Sequence, residues 1–168
     1  DYQTAICCFS EAIRLDPKHA YAYIIRGKSN GMLGKYDEAI RDFSEAIRLD
    51  PNNADPYNKR GITYDMLGKY NEAIRDYTEA IRLNPKVDFA YTIRGDTYKR
   101  LSKYDEAIRD FSEAIRLNPN DADTYNKRGD TYKKLDKYDE AIRDYSEAIR
   151  LNPSTFKRLN RVNELNDK

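Results

Sequence analysis

The chain has 168 residues, of which 35% are charged and 39% hydrophobic, and its formal net charge is +1. That balance excludes a global electrostatic attraction to nucleic acid or to an anionic membrane. No apolar run approaches the roughly 20 residues that span a bilayer, and no signal-peptide pattern opens the chain, so we predict no membrane insertion. The two cysteines, Cys7 and Cys8, are neighbours. They predict no disulfide framework, which favours a reduced, cytoplasmic compartment.

Prolines recur along the chain at a constant interval of 34 residues. The series is Pro17, Pro51, Pro85, Pro119 and Pro153. An interval of this length predicts a stack of similar two-helix units rather than one irregular core. Features that recur in every unit are then expected to be structural, and features that differ between units are the better candidates for function.

The predicted elements begin with a single helix that lacks a preceding partner. Four full units follow, each with two helices, and a final helix carries the features of a cap. The predicted ranges are 3–16 for the second helix of an incomplete unit, 20–53, 54–87, 88–121 and 122–155 for the full units, and 155–166 for the capping helix. In each full unit, apolar residues spaced as one stripe mark the second helix, as from Tyr36 to Ile47.

Short turns separate these helices. Gly34 and Gly68 can adopt the left-handed conformation that ends a helix. Ser102 and Asp136 stand at the same point of the third and fourth units, where we expect the left-handed turn to be slightly less favourable because these residues have a side chain. The recurrent prolines cannot continue a helix and stop the second one.

Each unit repeats the same residue types at fixed offsets. In the second unit they are Tyr57, Gly61, Tyr64, Ala73, Tyr77, Ala80 and Pro85. The first unit departs from them at Asn30, where an aromatic residue is expected. This pattern resembles the tetratricopeptide repeat (TPR) family along nearly the whole chain. The resemblance implies an all-α fold, a right-handed α-solenoid of helix-turn-helix units with a C-terminal capping helix, in a single domain over residues 1–168.

Two charge patterns accompany the repeat. An arginine replaces the leucine that the family usually has, at Arg26, Arg60, Arg94 and Arg128. We interpret it as structural, with its stem over the helix interface and its head paired. The candidate partners are Asp42, Asp76, Asp110 and Asp144. In addition, Asp37 and Arg41 are spaced for an i,i+4 ion pair on the second helix.

No catalytic or metal-ligating constellation is evident in the sequence. His19, the one histidine, lies near Pro17 in a turn, and the recurrent serines share one repeat position, where a nucleophile would not be needed several times. We therefore predict no enzyme activity, no cofactor and no metal site. Two interpretations of Cys7 and Cys8 stay open: a redox or crosslinking role and, preferred, a half-buried pair of thiols.

The composition also makes single-stranded nucleic acid a partner to consider, because 15 tyrosines are mixed with 30 lysines and arginines. Most of these tyrosines, however, stand at packing positions of the repeat. We therefore predict no nucleic-acid partner.

The resemblance implies a function and a place for it. In TPR proteins the first helices line a concave groove that holds a peptide or a partner's helix, so we predict a non-catalytic protein–protein interaction scaffold. The candidate groove residues are Tyr21, Ile24, Ile25, Lys28, Met32, Asn58, Lys59, Ile62, Met66, Phe89, Ile93, Lys99, Arg100, Asn126, Lys127, Lys133 and Lys134.

The candidate groove residues change in character along the chain. Isoleucine and methionine dominate the first two units, and methionine suits adaptable apolar contacts. Lysine and arginine dominate the last two units. The hypothesis is a ligand with one apolar segment and one acidic segment or C-terminal carboxylate, with Asn58 and Asn126 bonding its backbone. The alternative is that these charges only keep the inner face soluble.

The carboxylate clamp of chaperone-binding TPR domains is not matched. Ile24 and Lys28 stand where the clamp has Lys and Asn, and Phe89 and Ile93 stand where it has Lys and Arg. Two other functions remain open. One is self-association through the incomplete N-terminal unit, whose apolar face lacks its first helix. The other is service as an accessory segment of a larger enzyme.

Overall fold

The computed structural model describes residues 1–153, and the predicted capping helix over 155–166 lies outside the described residues. The described residues form nine α-helices and no strand, which confirms the all-α prediction. The helices are α1 (Tyr2–Leu15), α2 (Ala20–Met32), α3 (Tyr36–Leu49), α4 (Ala54–Met66), α5 (Tyr70–Leu83), α6 (Asp88–Arg100), α7 (Tyr104–Leu117), α8 (Ala122–Lys134) and α9 (Tyr138–Leu151).

The helices belong to two compact units, each of which holds more than one of the 34-residue repeats. The first compact unit is Asp1–Pro85 and the second begins at Lys86, and from here on the words first unit and second unit refer to these two. In the first unit, α2 packs along α3 and α4 along α5 as helical hairpins, while α1 packs on α2 and α3 on α4. In the second unit, α6 pairs with α7 and α8 with α9, and α7 packs on α8. Consecutive helices thus form the repeated hairpins that the sequence predicts.

Small residues let the two helices of a hairpin approach closely, and an aromatic ring fills the remaining space. Ala73 on α5 is fully enclosed, and the ring of Tyr77 is almost fully buried one turn further on. Gly61 on α4 faces that ring so closely that an added Cβ would lie 2.6 Å from Tyr77 Cε1. Any larger residue at Gly61 must therefore displace the ring or separate the helices.

The corners between first and second helices have left-handed backbone. Gly34 has a φ of 74° and Gly68 a φ of 72°, which glycine adopts at little cost. Ser102 and Asp136 adopt the same conformation, at φ 57° and 58°. A side chain in this conformation costs roughly 1–2 kcal/mol, so the geometry agrees with the less favourable turn expected at these two positions.

Two of the turns after the prolines are closed by side chains, whereas His19 and Val87, at the starts of α2 and α6, make no side-chain cap. Asn53 caps α4 by accepting a hydrogen bond from the Asp55 N–H at 3.0 Å. Asp121 caps α8 in the same way, from the Asp123 N–H at 3.1 Å. These bonds satisfy N–H groups that the first turn of a helix leaves without a partner.

The recurrent arginine joins three helices. In the second hairpin, Arg60 on α4 donates to both carboxylate oxygens of Asp76 on α5. Its Nη1 also donates to Ser44 Oγ on the preceding helix α3, at 2.9 Å. Arg26 and Arg128 make the equivalent bonds, to Asp42 and Ser10 and to Asp144 and Ser112, and Arg94 is likewise paired with Asp110. The predicted arginine–aspartate pairing is confirmed in all four hairpins.

The exposed charges of the second helices pair differently from the prediction. Arg41 lies 3.5 Å from Glu38, an i,i+3 partner, rather than pairing with Asp37. At the C-terminal end of each second helix, a glutamate and an arginine three residues later form a contact of 2.6 Å between Oε1 and Nη2. Both side chains of such a pair point along the same helix face, where solvent screens their attraction.

Helix α1 differs from the other helices because none of its residues is buried. Cys7 and Cys8 are both exposed. The preferred interpretation of these cysteines as half-buried thiols was therefore wrong. They stand where the full units have arginine and aspartate, positions that face solvent and the neighbouring first helix.

Candidate partner-binding site

The first helices of the first unit expose large apolar side chains. Met32 at the end of α2 and Met66 at the end of α4 are 57% and 59% exposed, and Tyr21 at the start of α2 is also more than half exposed. Exposed apolar groups of this size are costly in water and commonly mark contact surfaces when they cluster. Met32 and Met66 come close together because α2 and α4 touch directly.

A cavity of about 230 Å³ lies beside these methionines, between α2, α3 and α4. It brings together five of the predicted groove residues: Lys28, Met32, Lys59, Ile62 and Met66. Its other walls are Gly27, Gly31, Tyr36, Phe43 and Thr63, none of which was predicted as a groove residue from the sequence. A signal for one of them exists, since Gly31 stands where the later repeats have Asp65, Lys99 and Lys133. A Cβ added at Gly31 would meet only Ala39 Cβ, at 3.9 Å, so this glycine leaves space in the cavity wall.

One repeat position among the candidates is enclosed rather than exposed. Ile24 is 3% exposed and Asn126 is 2% exposed, while Asn58 at the same position is half-buried. Neither Asn58 Oδ1 nor Asn126 Oδ1 has a hydrogen-bond partner among the described residues. An enclosed acceptor without a partner is unfavourable, yet burial also keeps the Asn126 amide away from a ligand on the surface.

The first helices of the second unit carry polar and charged groups. Phe89 at the start of α6 is about half exposed, and Ile93 one turn later is half-buried. Arg100 and Lys134 are exposed at the ends of α6 and α8, and Lys133 is half-buried. The exposed side chains at the ends of α2 and α4 are therefore apolar, whereas those at the ends of α6 and α8 are charged.

Much of the positive charge in the second unit is neutralised internally. Lys127 Nζ lies 2.6 Å from Asp96 Oδ2 and 3.2 Å from Asp123 Oδ2, and Lys99 Nζ lies 3.7 Å from Asp96 Oδ1. Desolvation lowers the pKa of Lys127, but the hydrogen bond and charge of Asp96, aided by Asp123, outweigh it and raise that pKa. Lys99 and Lys127 are thus already paired, which leaves Lys133 and Lys134 as lysines for which the described residues offer no ion pair.

Two general properties of the described residues bear on what this surface can do. None of the helices in residues 1–153 is long and apolar enough to cross a membrane. Over the same residues, no three His, Cys, Asp or Glu side chains gather in a group that suits a metal ion.

Comparison with protein families gives matches over most of the chain. A family model described as TPR repeat matches residues 32–68 and 95–136. A second, described as tetratricopeptide repeat, matches residues 54–87 and 122–155. No curated protein matches the chain in sequence.

Comparison with solved structures gives close matches of fold. A crystal structure of MamA is 25% identical with a TM-score of 0.88 over 94% of this chain and 92% of that chain. A MamA fragment from Desulfovibrio magneticus RS-1 is 19% identical with a TM-score of 0.85, over 91% and 86%. YrrB, described as a TPR protein with an unusual peptide-binding site, is 24% identical with a TM-score of 0.81, over 95% and 82%. The last two similarities are informative about the fold alone.

Proposed function

Because the chain belongs to the tetratricopeptide repeat family, we propose that it is a non-catalytic scaffold that binds a peptide or partner segment on the first helices of its repeats. The observation that carries the proposal is the apolar cavity between α2 and α4. Met32 and Met66 flank it with most of their side chains in solvent. A partner's apolar side chain would remove both methionines from water, and the flexible thioethers can adapt to its shape.

The second unit offers a different kind of contact. The exposed ends of α6 and α8 carry Arg100 and Lys134, with Lys133 beside it. These groups suit an acidic segment or a C-terminal carboxylate. Lys99 and Lys127 contribute less because Asp96 and Asp123 already satisfy them. We therefore assign the acidic part of the ligand to Lys133 and Lys134.

A capture experiment tests the apolar surface. The chain with both Met32→Lys and Met66→Lys is compared with wild type as bait in a lysate of its natural source, and the captured proteins are quantified. The matched control is Leu15→Lys, which charges an apolar residue on α1 that is 70% exposed and does not line the cavity. We expect the double variant to lose partners that wild type and the control retain, with unchanged circular dichroism. Equal capture by all three proteins would refute the apolar site.

The acidic contact has its own test. Lys133→Glu combined with Lys134→Glu should reduce capture of the same partners, whereas Lys103→Glu, in the exposed turn before α7, should not. Reversal of two charges turns attraction into repulsion, and the difference should fade at high salt. If the double variant and the control capture alike, these lysines only keep the surface soluble.

Self-association is the second candidate function, and helix α1 favours it. Tyr2 and Leu15 are exposed on this helix, which has no buried residue, and both cysteines face solvent. A second copy could cover these groups. Light scattering over a concentration series, with and without reductant, tests it. Concentration-dependent assembly that Leu15→Glu abolishes would support it, and a monomer throughout would exclude it.

A further inference from the structure

The first hairpin lacks a ring that the other three hairpins possess. In the second to fourth hairpins, a tyrosine on the first helix lies against the recurrent arginine, with ring centroids 5.9–6.0 Å from the guanidinium carbon. These residues are Tyr64, Tyr98 and Tyr132, on Arg60, Arg94 and Arg128. The first hairpin has Asn30 at this position. Among the described residues, Arg26 therefore contacts the ring of Tyr23 only, at 5.6 Å.

A cleft of about 530 Å³ is lined by Asn30, the residue that stands in place of the ring, and by Arg26. It is bounded by α1, α2 and α3, and it shares no residue with the cavity beside Met32 and Met66. Its walls are Ile6 and Ser10 from α1, Arg26 and Asn30 from α2, and Lys35, Glu38, Arg41 and Asp42 from the start of α3. The position 34 residues after Asn30 is Tyr64, so the second hairpin fills the corresponding place with its own side chain.

The groups at the base of this cleft are held in fixed positions. Arg26 donates to both oxygens of Asp42, at 3.0 and 2.6 Å, and to Ser10 Oγ at 3.2 Å. The Asn30 amide donates to Asp42 Oδ2 at 3.1 Å. The guanidinium plane is thereby oriented in the same way as that of Arg60, which accepts a second aromatic ring. A ligand would find this geometry already formed, and preorganisation lowers the entropic cost of binding.

We propose that this cleft, the aromatic receptor site, binds one tyrosine side chain of a partner polypeptide, which lies against Arg26 as Tyr64 lies against Arg60. The site goes beyond the proposed function because it uses residues on the other side of α2. Its volume is ample, since a cavity of about 150 Å³ is enough to bind benzene. The arginine attracts the face of the ring, and the charged rim of Lys35, Glu38 and Arg41 suits a phenol hydroxyl better than a hydrocarbon.

The test uses p-cresol, which is the tyrosine side chain alone, in an NMR titration of the ¹⁵N-labelled chain. In wild type we expect saturable shifts of the Asn30 side-chain amide and the Arg26 Nε–H. Asn30→Tyr supplies the missing ring from within and should abolish the shift of the Arg26 Nε–H, which is the reporter present in both proteins. That variant is expected to fold, because three hairpins of this chain already carry the tyrosine.

A reciprocal variant and a shape control complete the design. Tyr64→Asn removes the ring from the second hairpin and should create a p-cresol site at Arg60. The saturated analogue 4-methylcyclohexanol has a similar size but no aromatic face, and it should bind about fivefold more weakly. Absence of saturable shifts in wild type, unchanged shifts in Asn30→Tyr, or equal binding of the saturated analogue would each overturn the proposal.

Discussion

Arg60 on α4 donates two hydrogen bonds to Asp76 on α5, from Nε to Oδ2 at 2.7 Å and from Nη2 to Oδ1 at 2.8 Å. The Asp76 side chain is 9% exposed and that of Arg60 19%, so solvent screens this pair only weakly. Ser44 lies 16 residues before Arg60 and Asp76 lies 16 residues after it, and Arg60 donates hydrogen bonds to both. One side chain thus connects a hairpin to the helix before it.

Removal of the carboxylate should be costly. Asp76→Ala leaves the Arg60 guanidinium without its charge partner in a largely enclosed site, and we expect a loss of about 3 kcal/mol in the free energy of unfolding. The double variant Arg60→Leu with Asp76→Ala replaces the pair by apolar groups and should recover most of that loss. Urea denaturation of the three proteins measures both effects. A single variant within about 1 kcal/mol of wild type would contradict the structural role of the pair.

The serine contact predicts a difference between two equivalent positions. Ser44→Ala removes the acceptor of Arg60 Nη1 and should cost about 1 kcal/mol. Ser146 stands at the same repeat position and donates to Ile142 O, as Ser44 does to Ile40 O. Within residues 1–153, however, no arginine donates a hydrogen bond to Ser146 Oγ. Ser146→Ala should therefore change stability by less than about 0.5 kcal/mol, and equal losses would show that the arginine contact contributes nothing.

The left-handed corners predict opposite effects of two substitutions. Ser102→Gly relieves a side chain at φ 57° and should raise the free energy of unfolding by about 1 kcal/mol. Gly68→Ser introduces the same strain at φ 72° and should lower it by a similar amount. At Asp136 the gain should be smaller, because Tyr138 Oη donates to its Oδ1 at 2.6 Å. Chemical denaturation measures the free energy of unfolding of each variant. A Ser102→Gly variant less stable than wild type would be inconsistent with backbone strain at this position.

The glutamates at the ends of the second helices predict weak destabilisation in acid. A hydrogen bond from Arg48 lowers the pKa of Glu45 below its usual 4.5, and Arg82 does the same for Glu79. A carboxyl with a lowered folded-state pKa stabilises above its unfolded-state pKa, and the contribution is lost as pH falls through the folded-state value. We expect melting temperatures to fall below about pH 4.5, by less in 1 M salt. Replacement of both glutamates by glutamine should flatten this fall, and an unchanged pH profile would argue against it.

The repeated packing was predictable because each of its residues recurs with the same interval. The Arg60–Asp76 pair could be anticipated, since both residues recur in every unit and an arginine near a helix interface needs a carboxylate. The role of Ser44 could not be anticipated, because the sequence shows that a serine recurs at this position but does not show what it contacts. It is the stacking of one hairpin on the preceding helix that brings its hydroxyl within reach of Arg60.

The candidate binding residues were harder to assign from variation between repeats. Ile24, Asn58, Thr92 and Asn126 occupy one repeat position and are of three residue types, yet three of them are buried and Asn58 is half-buried. Neighbouring first helices enclose this position, so it varies with its packing partners. In the second unit, Thr92 and Thr124 on α6 and α8 place their hydroxyl oxygens 3.3 Å apart.

The pairing of Lys127 with Asp96 escaped prediction for a related reason. The two residues are 31 positions apart, and their contact depends on how α6 and α8 are aligned. Local spacing along one helix says nothing about such a pair. Of the predicted lysines, we therefore propose Lys133 and Lys134 rather than Lys99 and Lys127 for the contact with an acidic ligand.

Site-specific photo-crosslinking tests the proposed scaffold function most directly. The photoreactive residue p-benzoylphenylalanine replaces Met66 beside the cavity in one protein, and Arg75, exposed on α5, in the control. After irradiation in a lysate of the natural source, we predict discrete crosslinked partners at position 66 and none of them at position 75. Crosslinks of equal yield at both positions, or only at position 75, would contradict binding on the first helices.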